Sequence, residues 1–346
     1  MKIIHTADIH LDSPLMGVAD SILRRAELLR ALSNVSKYAH QSGVAAVIVA
    51  GDLFDDKFVT IQTVKSVAQI INDGSAQWYI LRGNHGDAAP YRELAKLSNK
   101  AHFFGEDWTT YDLGEDVTLT GRELGANDAE NWQRLSLPAD RYNLLALHGD
   151  VDDPSYGLID KKAIARLPIK YVALGHRHAF CEHKFGAVAG AYSGVLEARG
   201  FDELAPAGFV MIDTTTKKVT FLSHPIRRVE TRKIDVTNVT TEFQLEQLID
   251  DSVHDVSTDN YLNVIFCGAL AENVRLDVVA ENKLKNRFFA LRIQNDTTVK
   301  VDLDKLKQEV SLRGEFVKLA LQIPDETERN EVLRLGLLSL SGEELA

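Results

Sequence analysis

At 346 residues, 45% hydrophobic and 26% charged, the chain can bury a large core and divide into two or three units, which excludes a disordered or fibrous protein. No apolar run approaches membrane-spanning length, and MKIIHTADIH turns polar too soon for a signal peptide, so no membrane association and a cytoplasmic location are expected. A net charge of −11 speaks against nucleic acid, yet acidic residues also gather around divalent cations and a basic strip can coexist with a negative total, so charge alone decides nothing.

Five short apolar runs mark the first half: KIIHTA (2–7), VAAVIVA (44–50), QWYILR (77–82), NLLALH (143–148) and YVALGH (171–176). Each is near-continuous rather than alternating, the pattern of strands covered on both faces. Between the first two, Ile22, Leu23, Ala26, Leu29, Leu32, Val35 and Ala39 recur at helical spacing across 20–43, with Gly43 as the stop. A second helix is expected over 59–73, closed by Gly74, and strand–helix–strand alternation gives α/β layering. Residues 106–124, around the turn GED, and 186–235 alternate apolar with polar and read as antiparallel strands of a mixed or second sheet.

From about residue 230 a small α/β unit is expected, with a helix over 240–253 and strands over 261–268 and 288–294, while 273–286 is ambiguous. After residue 300 the chain reads as amphipathic helices. The basic strips HPIRRVETRK (224–233) and ENKLKNRF (281–288) read as solvated faces, and Cys181 and Cys267 lack any paired or metal-finger spacing.

Chemistry gathers where the five runs end. The first ends in Asp8 and His10, the second in GDLFDD with Asp52, the third in RGNHGD with Asn84 and His85, the fourth at His148, and the fifth in GHRH with His176 and His178. In open α/β sheets ligands bind beyond the carboxyl ends of the strands. Asp8 and His10, two apart on an extended segment, point the same way, as they would to grip one cation. Any one of these motifs alone reads as a capped strand end or a turn; five in succession at strand ends do not. The other six histidines, His5, His40, His102, His183, His224 and His254, read as surface or satisfied core residues.

Carboxylate, imidazole and amide donors without thiolate suit manganese, iron or zinc. Asp8, His10, Asp52, Asn84, His148, His176 and His178 are too many for one ion with an open position, but they fit two ions bridged by a carboxylate. Two ions about 3.5–4 Å apart clamp the attacking and leaving oxygens of a phosphoryl displacement and bring the pKa of water from 15.7 toward roughly 7.

The order D-x-H, GD-x-x-D, GNH, a lone His after a strand, then GH-x-H resembles the signature of the calcineurin-like metallophosphoesterases over residues 1 to about 200. HTADIHLDSP, AGDLFDD and YSGVLEARGFDE (192–203) are similar to the SbcD-type DNA repair exonucleases, in the shorter bacterial SbcD-like branch. The resemblance implies a mixed β-sandwich flanked by helices, an αββα arrangement, with a small α/β cap and C-terminal helices. It implies a nuclease domain over 1–228, a capping and DNA-binding domain over 229–300, and a helical segment over 301–346.

It also implies roles. Asp8, His10, Asp52 and His178 would hold one ion and Asp52, Asn84, His148 and His176 the other, with manganese the first expectation and iron, zinc or magnesium the alternatives. His85 would act beside the scissile phosphate as charge stabiliser or proton donor, suited by a pKa near neutrality. The family usually has Asp after GNH; here Gly86 stands there and Asp87 follows. Val195 follows Gly194 where that branch more often has a small polar residue.

The implied partners are DNA, an SbcC-like coiled-coil ATPase docked on the C-terminal leucines (Leu333, Leu335, Leu337, Leu338 and Leu340), and a second copy in a homodimer seated on SILRRAELLRAL or a nearby helix. Packing of those leucines on their own domain is the alternative to docking. The functional alternatives are a phosphodiesterase of small nucleotides or other phosphoesters and a non-catalytic scaffold of the same fold.

Overall fold

All five apolar runs form strands, because two layers are present to bury the two faces of each. The computed structural model describes residues 1–13, 21–55, 59–84, 88–124, 132–271, 273–300 and 303–341. In chain order the first elements are β1 (Lys2–Thr6), α1 (Ser21–Ser42), β2 (Val44–Ala50), α2 (Ile61–Asp73), β3 (Gln77–Leu81), α3 (Ala88–Leu97) and β4 (Ala101–Phe103). Next come β5 (Thr109–Gly114), β6 (Val117–Gly121), β7 (Tyr142–His148), α4 (Lys161–Arg166), β8 (Ile169–Gly175), β9 (Cys181–Phe185), β10 (Val188–Tyr192), β11 (Gly208–Asp213) and β12 (Lys218–Ser223).

These strands make two mixed six-stranded sheets, ordered β12-β11-β1-β2-β3-β4 and β5-β6-β7-β8-β10-β9. β1 to β4 run parallel, as do β6, β7, β8 and β10; antiparallel pairing brings in β11 and β12 beside β1, and β5 and β9 at the edges of the second sheet. The pair β11–β12 joins the first sheet beside β1 in the antiparallel pairing that the alternation suggested, whereas β10, antiparallel to β9, runs parallel to β8.

Strand periodicity divides the core. Ile3, Ala46, Ile48, Ala50 and Tyr79 meet Leu119, Leu144, Ala146, Tyr171 and Ala173 in one apolar cluster formed from both sheets. The alternate residues Ile4, Val47, Val49, Trp78 and Ile80 cluster instead with α1, α2 and α3. On the second sheet Leu145, Leu147, Val172 and Leu174 pack with Ile164 of α4. The result is helix–sheet–sheet–helix layering, with the parallel strands buried on both faces.

α1 keeps the expected face over Leu32, Val35 and Ala39 and departs from it at its start. Ile22 is 82% exposed and Leu23 40%, while Arg24 and Glu27 are buried with Leu28, Ala31, Leu32, Val35 and Ala39. Arg24 is drawn inward by Glu27 and Glu197, and Glu27 also takes a bidentate pair from Arg227. Arg227, read as part of a solvated basic strip, is thereby largely buried, its guanidinium 3.7 Å from the Phe289 ring centroid. Pairing and hydrogen bonds overcame the side chains' polarity here, which periodicity cannot register.

Four short elements escaped the sequence reading: α3, β4, β9 and α4. β4 has three residues and α4 six, too few to show a period, and β9, CEHKF, is a largely exposed edge strand with no apolar run.

The remaining elements are β13 (Val229–Asp235), α5 (Glu242–Val253), β14 (Tyr261–Ala271), α6 (Leu276–Leu284), β15 (Ala290–Lys300), α7 (Leu303–Leu306), α8 (Leu312–Ala320) and α9 (Glu326–Ser341). The ambiguous segment thus holds a helix. β13, β14 and β15 form a three-stranded sheet. The chain separates into two compact units: Met1–Thr231 with Val256–Asn263 and Phe288–Arg292, and Arg232–Asp255 with Val264–Arg287 and Ile293–Ala346. In the second, α5 packs on α6, and Leu333 and Leu337 of α9 are buried against Leu306, Val317 and Ala320, while Leu335 is 37% exposed. Among the described residues no helix is long and apolar enough to cross a membrane.

His5 gives the first unit a measurable pH response. Its ring is wholly buried, with Nε2 donating to the Leu174 carbonyl at 3.1 Å and Nδ1 accepting from the Tyr171 hydroxyl at 3.0 Å. Burial pushes its pKa down from 6.5 to about 3, the Leu174 carbonyl opposing. The unfolded chain therefore binds the extra proton between those values. The stabilisation is complete above pH 6.5 and is lost as pH falls toward 3, amounting to about 2 kcal/mol at pH 5. Urea unfolding of the metal-free protein at pH 7 and pH 5 should show the wild type losing about that much more than His5→Gln; equal losses would contradict it.

Candidate metal centre

The loops after the strands are stitched to one another by their backbones. Asp8 N–H donates to the Gly51 carbonyl (3.1 Å), Ile9 and His10 N–H both to the Asp52 carbonyl (2.9 Å each), and Asp52 N–H to the Arg82 carbonyl (2.9 Å). The loops after β1, β2 and β3 thus lie against one another. From the second sheet, the loop after β8 reaches the loop after β1: His176 N–H lies 3.1 Å from both Asp8 carboxylate oxygens.

This approach forces unusual backbone. Asp8 (φ 51°), His10 (47°), Asp52 (51°) and His176 (108°) are four of the nine non-glycine residues with positive φ among those described. Such conformations cost on the order of 1–3 kcal/mol each and cluster at functional sites. The glycines of the motifs have the same origin. A Cβ on Gly51 (φ 102°) would overlap the His148 imidazole, and one on Gly83 (φ 89°) would overlap the Asp52 carboxylate. GD and GN are therefore packing requirements of the site.

The side chains converge. One potential ligand atom from each of Asp8, His10 and His178 lies within 4.8 Å of the others, and the same holds for Asp8, Asp52 and His148. Asp52 Oδ2 stands 3.3 Å from His148 Nε2 and 3.9 Å from His10 Nε2, facing both groups. His10 Nε2 and His178 Nε2 are 3.3 Å apart. Asn84, itself exposed, puts Oδ1 2.6 Å from His148 Nε2. His176 belongs to neither tight group: its ring centroid lies 5.6 Å from that of His148 and 4.5 Å from that of Tyr156. His85, with Gly86 and Asp87, lies outside the described residues.

Protonation shows what the cluster lacks. His148 Nδ1 donates to the Ala50 carbonyl at 2.9 Å, which directs Nε2 at Asp52 and Asn84. Burial alone would lower the His148 pKa, but the Asp52 hydrogen bond and the charges of Asp52 and Asp8 raise it to about 9. Asp8 is pushed up to about 6, first by burial and then by Asp52, against the pull of His148 and His178. Two buried carboxylates thus retain a proton on a histidine between them: the centre is short of positive charge. A donor set of carboxylates, imidazoles and an amide with that deficit fits a pair of divalent cations.

Surrounding residues that sequence reasoning did not assign hold this arrangement. Glu123 accepts the N–H groups of Arg82 (2.6 Å) and Gly83 (3.3 Å), fixing the approach to Asn84. Asp150 takes Arg177 in a bidentate pair (2.8 and 2.7 Å), joining the turns that carry His148 and His176, and the Arg177 guanidinium lies 5.1 Å from the Tyr192 ring centroid. His178 Nδ1 meets Glu203 and Arg199. Burial would raise the Glu203 pKa, but the His178 contact and the charge and hydrogen bonds of Arg199 hold the carboxyl down at about 2. Glu203 and Arg199 lie in YSGVLEARGFDE, which carried a family resemblance but no role for either residue.

Residues 1–180 match the family model for calcineurin-like phosphoesterases. YhaO of Bacillus subtilis, an uncharacterised metallophosphoesterase, is 23% identical over 277 residues, 73% of this chain and 67% of that one. The DNA double-strand break repair protein Mre11 of Methanosarcina mazei is 25% identical over 233 residues, 61% of this chain but only 36% of that protein. A dimetal phosphatase of known structure from Danio rerio aligns at 12% identity with a TM-score of 0.42, covering 61% of this chain and 91% of that one. With more than half its length matched and the motif residues gathered at the strand ends, the chain belongs to the calcineurin-like phosphoesterases.

Proposed function

We propose that this protein is a manganese-dependent nuclease that hydrolyses phosphodiester bonds at DNA ends, of the SbcD-like type. The observation that carries a phosphoester hydrolase is Asp52, whose carboxylate faces both His10 and His148 in a buried, charge-deficient cluster. DNA as the substrate is supported by the likeness over 233 residues to a protein named for double-strand break repair. When bound, a pair of divalent ions supplies charge for the transferring phosphoryl group and an activated water at neutral pH.

The chain's own residues do the rest. Asp8, His10 and His178 would hold one ion and Asn84, His148 and His176 the other, with Asp52 shared. The Ala50 carbonyl orients His148, and Glu123 sets the backbone leading into Asn84. His85, next in the chain to Asn84, would protonate the leaving oxygen or stabilise its charge. The same reading assigns a coiled-coil ATPase partner and a homodimer; the exposed Ile22 and Leu23 of α1 support a surface for the latter.

End-labelled duplex and single-stranded DNA, incubated with and without manganese, test this. Shortened labelled products should form only with manganese and should decline as salt rises, since phosphate contacts supply the affinity. Intact DNA alongside hydrolysis of bis(p-nitrophenyl) phosphate would replace the nuclease with a small-phosphodiester hydrolase. Failure on both substrates, with fewer than one ion bound, would leave a scaffold.

A further inference from the structure

We propose that Glu203 is a positioning residue of the metal centre, taking the Nδ1 hydrogen of His178 so that the Nε2 lone pair faces Asp8 and His10. This rests on the metal-centre reading and adds to it a residue outside the ligand motifs. His178 Nε2 is the atom directed into the site, 3.3 Å from His10 Nε2. To bind a cation it must carry no hydrogen, so the ring hydrogen belongs on Nδ1. Two groups meet Nδ1: Arg199 Nη2 in a hydrogen bond at 3.0 Å and Glu203 Oε1 in an ion-pair contact at 2.9 Å. A guanidinium has no acceptor, so only Glu203 can receive that hydrogen. Arg199 left alone would donate to Nδ1 and favour the opposite tautomer, with a hydrogen aimed at the cation's place.

Glu203 is itself held from several sides. Arg199 donates from Nη2 (2.6 Å) and Nε (3.0 Å) to Oε1, and its backbone N–H donates to Oε2 at 2.7 Å. The segment leading to Arg199 is anchored by wholly buried groups. Arg24 Nη2 donates to Glu197 and to the Ala198 carbonyl, and Glu197 also accepts the N–H groups of Ile226 (2.6 Å) and Arg227 (3.0 Å). Replacing a buried ion pair by apolar residues is often neutral or stabilising, so this one is better explained by what it holds in place. Outer carboxylates that orient a metal-binding histidine are typically worth 10–100-fold in metal affinity.

The test is a titration of metal-free protein with manganese, reading free Mn2+ by its electron paramagnetic resonance signal, together with the thermal midpoint of each metal-free variant. Wild type should bind two ions per chain. Glu203→Gln should weaken one of the two binding steps by about 10–100-fold and leave the other within about threefold. An isotherm unchanged from wild type, or a lowered thermal midpoint with both steps intact, would overturn the role and leave the metal centre standing. A wild type that binds no manganese would overturn the metal centre itself, and the proposal with it. If Glu203→Gln does not fold, Glu203→Asp, which keeps the charge but draws it back from Nδ1, should weaken the same single step; an unchanged isotherm again overturns the role.

Discussion

Replacing Asp52 with Asn is expected to cut phosphodiester hydrolysis by about a thousandfold or more and to lower bound manganese from two ions per chain to one or none. The reason is position. Asp52 Oδ2 lies between the two ligand groups, 3.3 Å from His148 Nε2 and 3.9 Å from His10 Nε2, and it is 2% exposed. Asn keeps the shape but removes the negative charge that both halves use. The several kcal/mol that bound ions contribute to transition-state charge then disappear, and each 1.36 kcal/mol is tenfold in rate. Turnover of bis(p-nitrophenyl) phosphate and metal content by mass spectrometry measure the two effects. Retained activity with two bound ions would mean that Asp52 is not shared.

The second large effect comes from a residue with no side chain. Gly51→Ala should lower the melting temperature by several degrees and reduce turnover by about a hundredfold or more. At φ 102° an added Cβ is strained, and it would overlap the His148 imidazole. The ring must move, and a shift of about 1 Å near reacting groups can cost a hundredfold. Gly43→Ala is the control: it also has positive φ (66°), but its Cβ would meet nothing within 4 Å. That variant should lose about 1 kcal/mol of stability with turnover unchanged. Equal activity losses in both variants would show that backbone strain, not the contact with His148, is responsible.

Much of this was legible in the sequence because it lay in local patterns. VAAVIVA and NLLALH are apolar on both faces, and a strand between two layers has no other way to look. The motif GD announced the ligand, while the reason for its glycine, the approach of His148, appears only in the fold. The legible part stopped where a residue's partner is distant in the chain. Arg24 sits in SILRRAELLRAL with the look of an exposed arginine, yet it is buried through Glu197, 173 positions away. Glu203 closes the block YSGVLEARGFDE, but its role appears only when His178 and Arg199 are set beside it. Glu123 acts through the N–H groups of Arg82 and Gly83, which no side-chain pattern encodes. The first turns of α1 were misread for the same reason: ion pairs drew Arg24 and Glu27 inward there, while the apolar period held over Leu32, Val35 and Ala39.

The most direct measurement of the central claim is X-ray diffraction at the manganese absorption edge from crystals grown with manganese. The account predicts two anomalous peaks, one among Asp8, His10 and His178 and one beside Asn84, His148 and His176, with the Asp52 carboxylate reaching both. A single peak, or manganese bound away from Asp52, would contradict it.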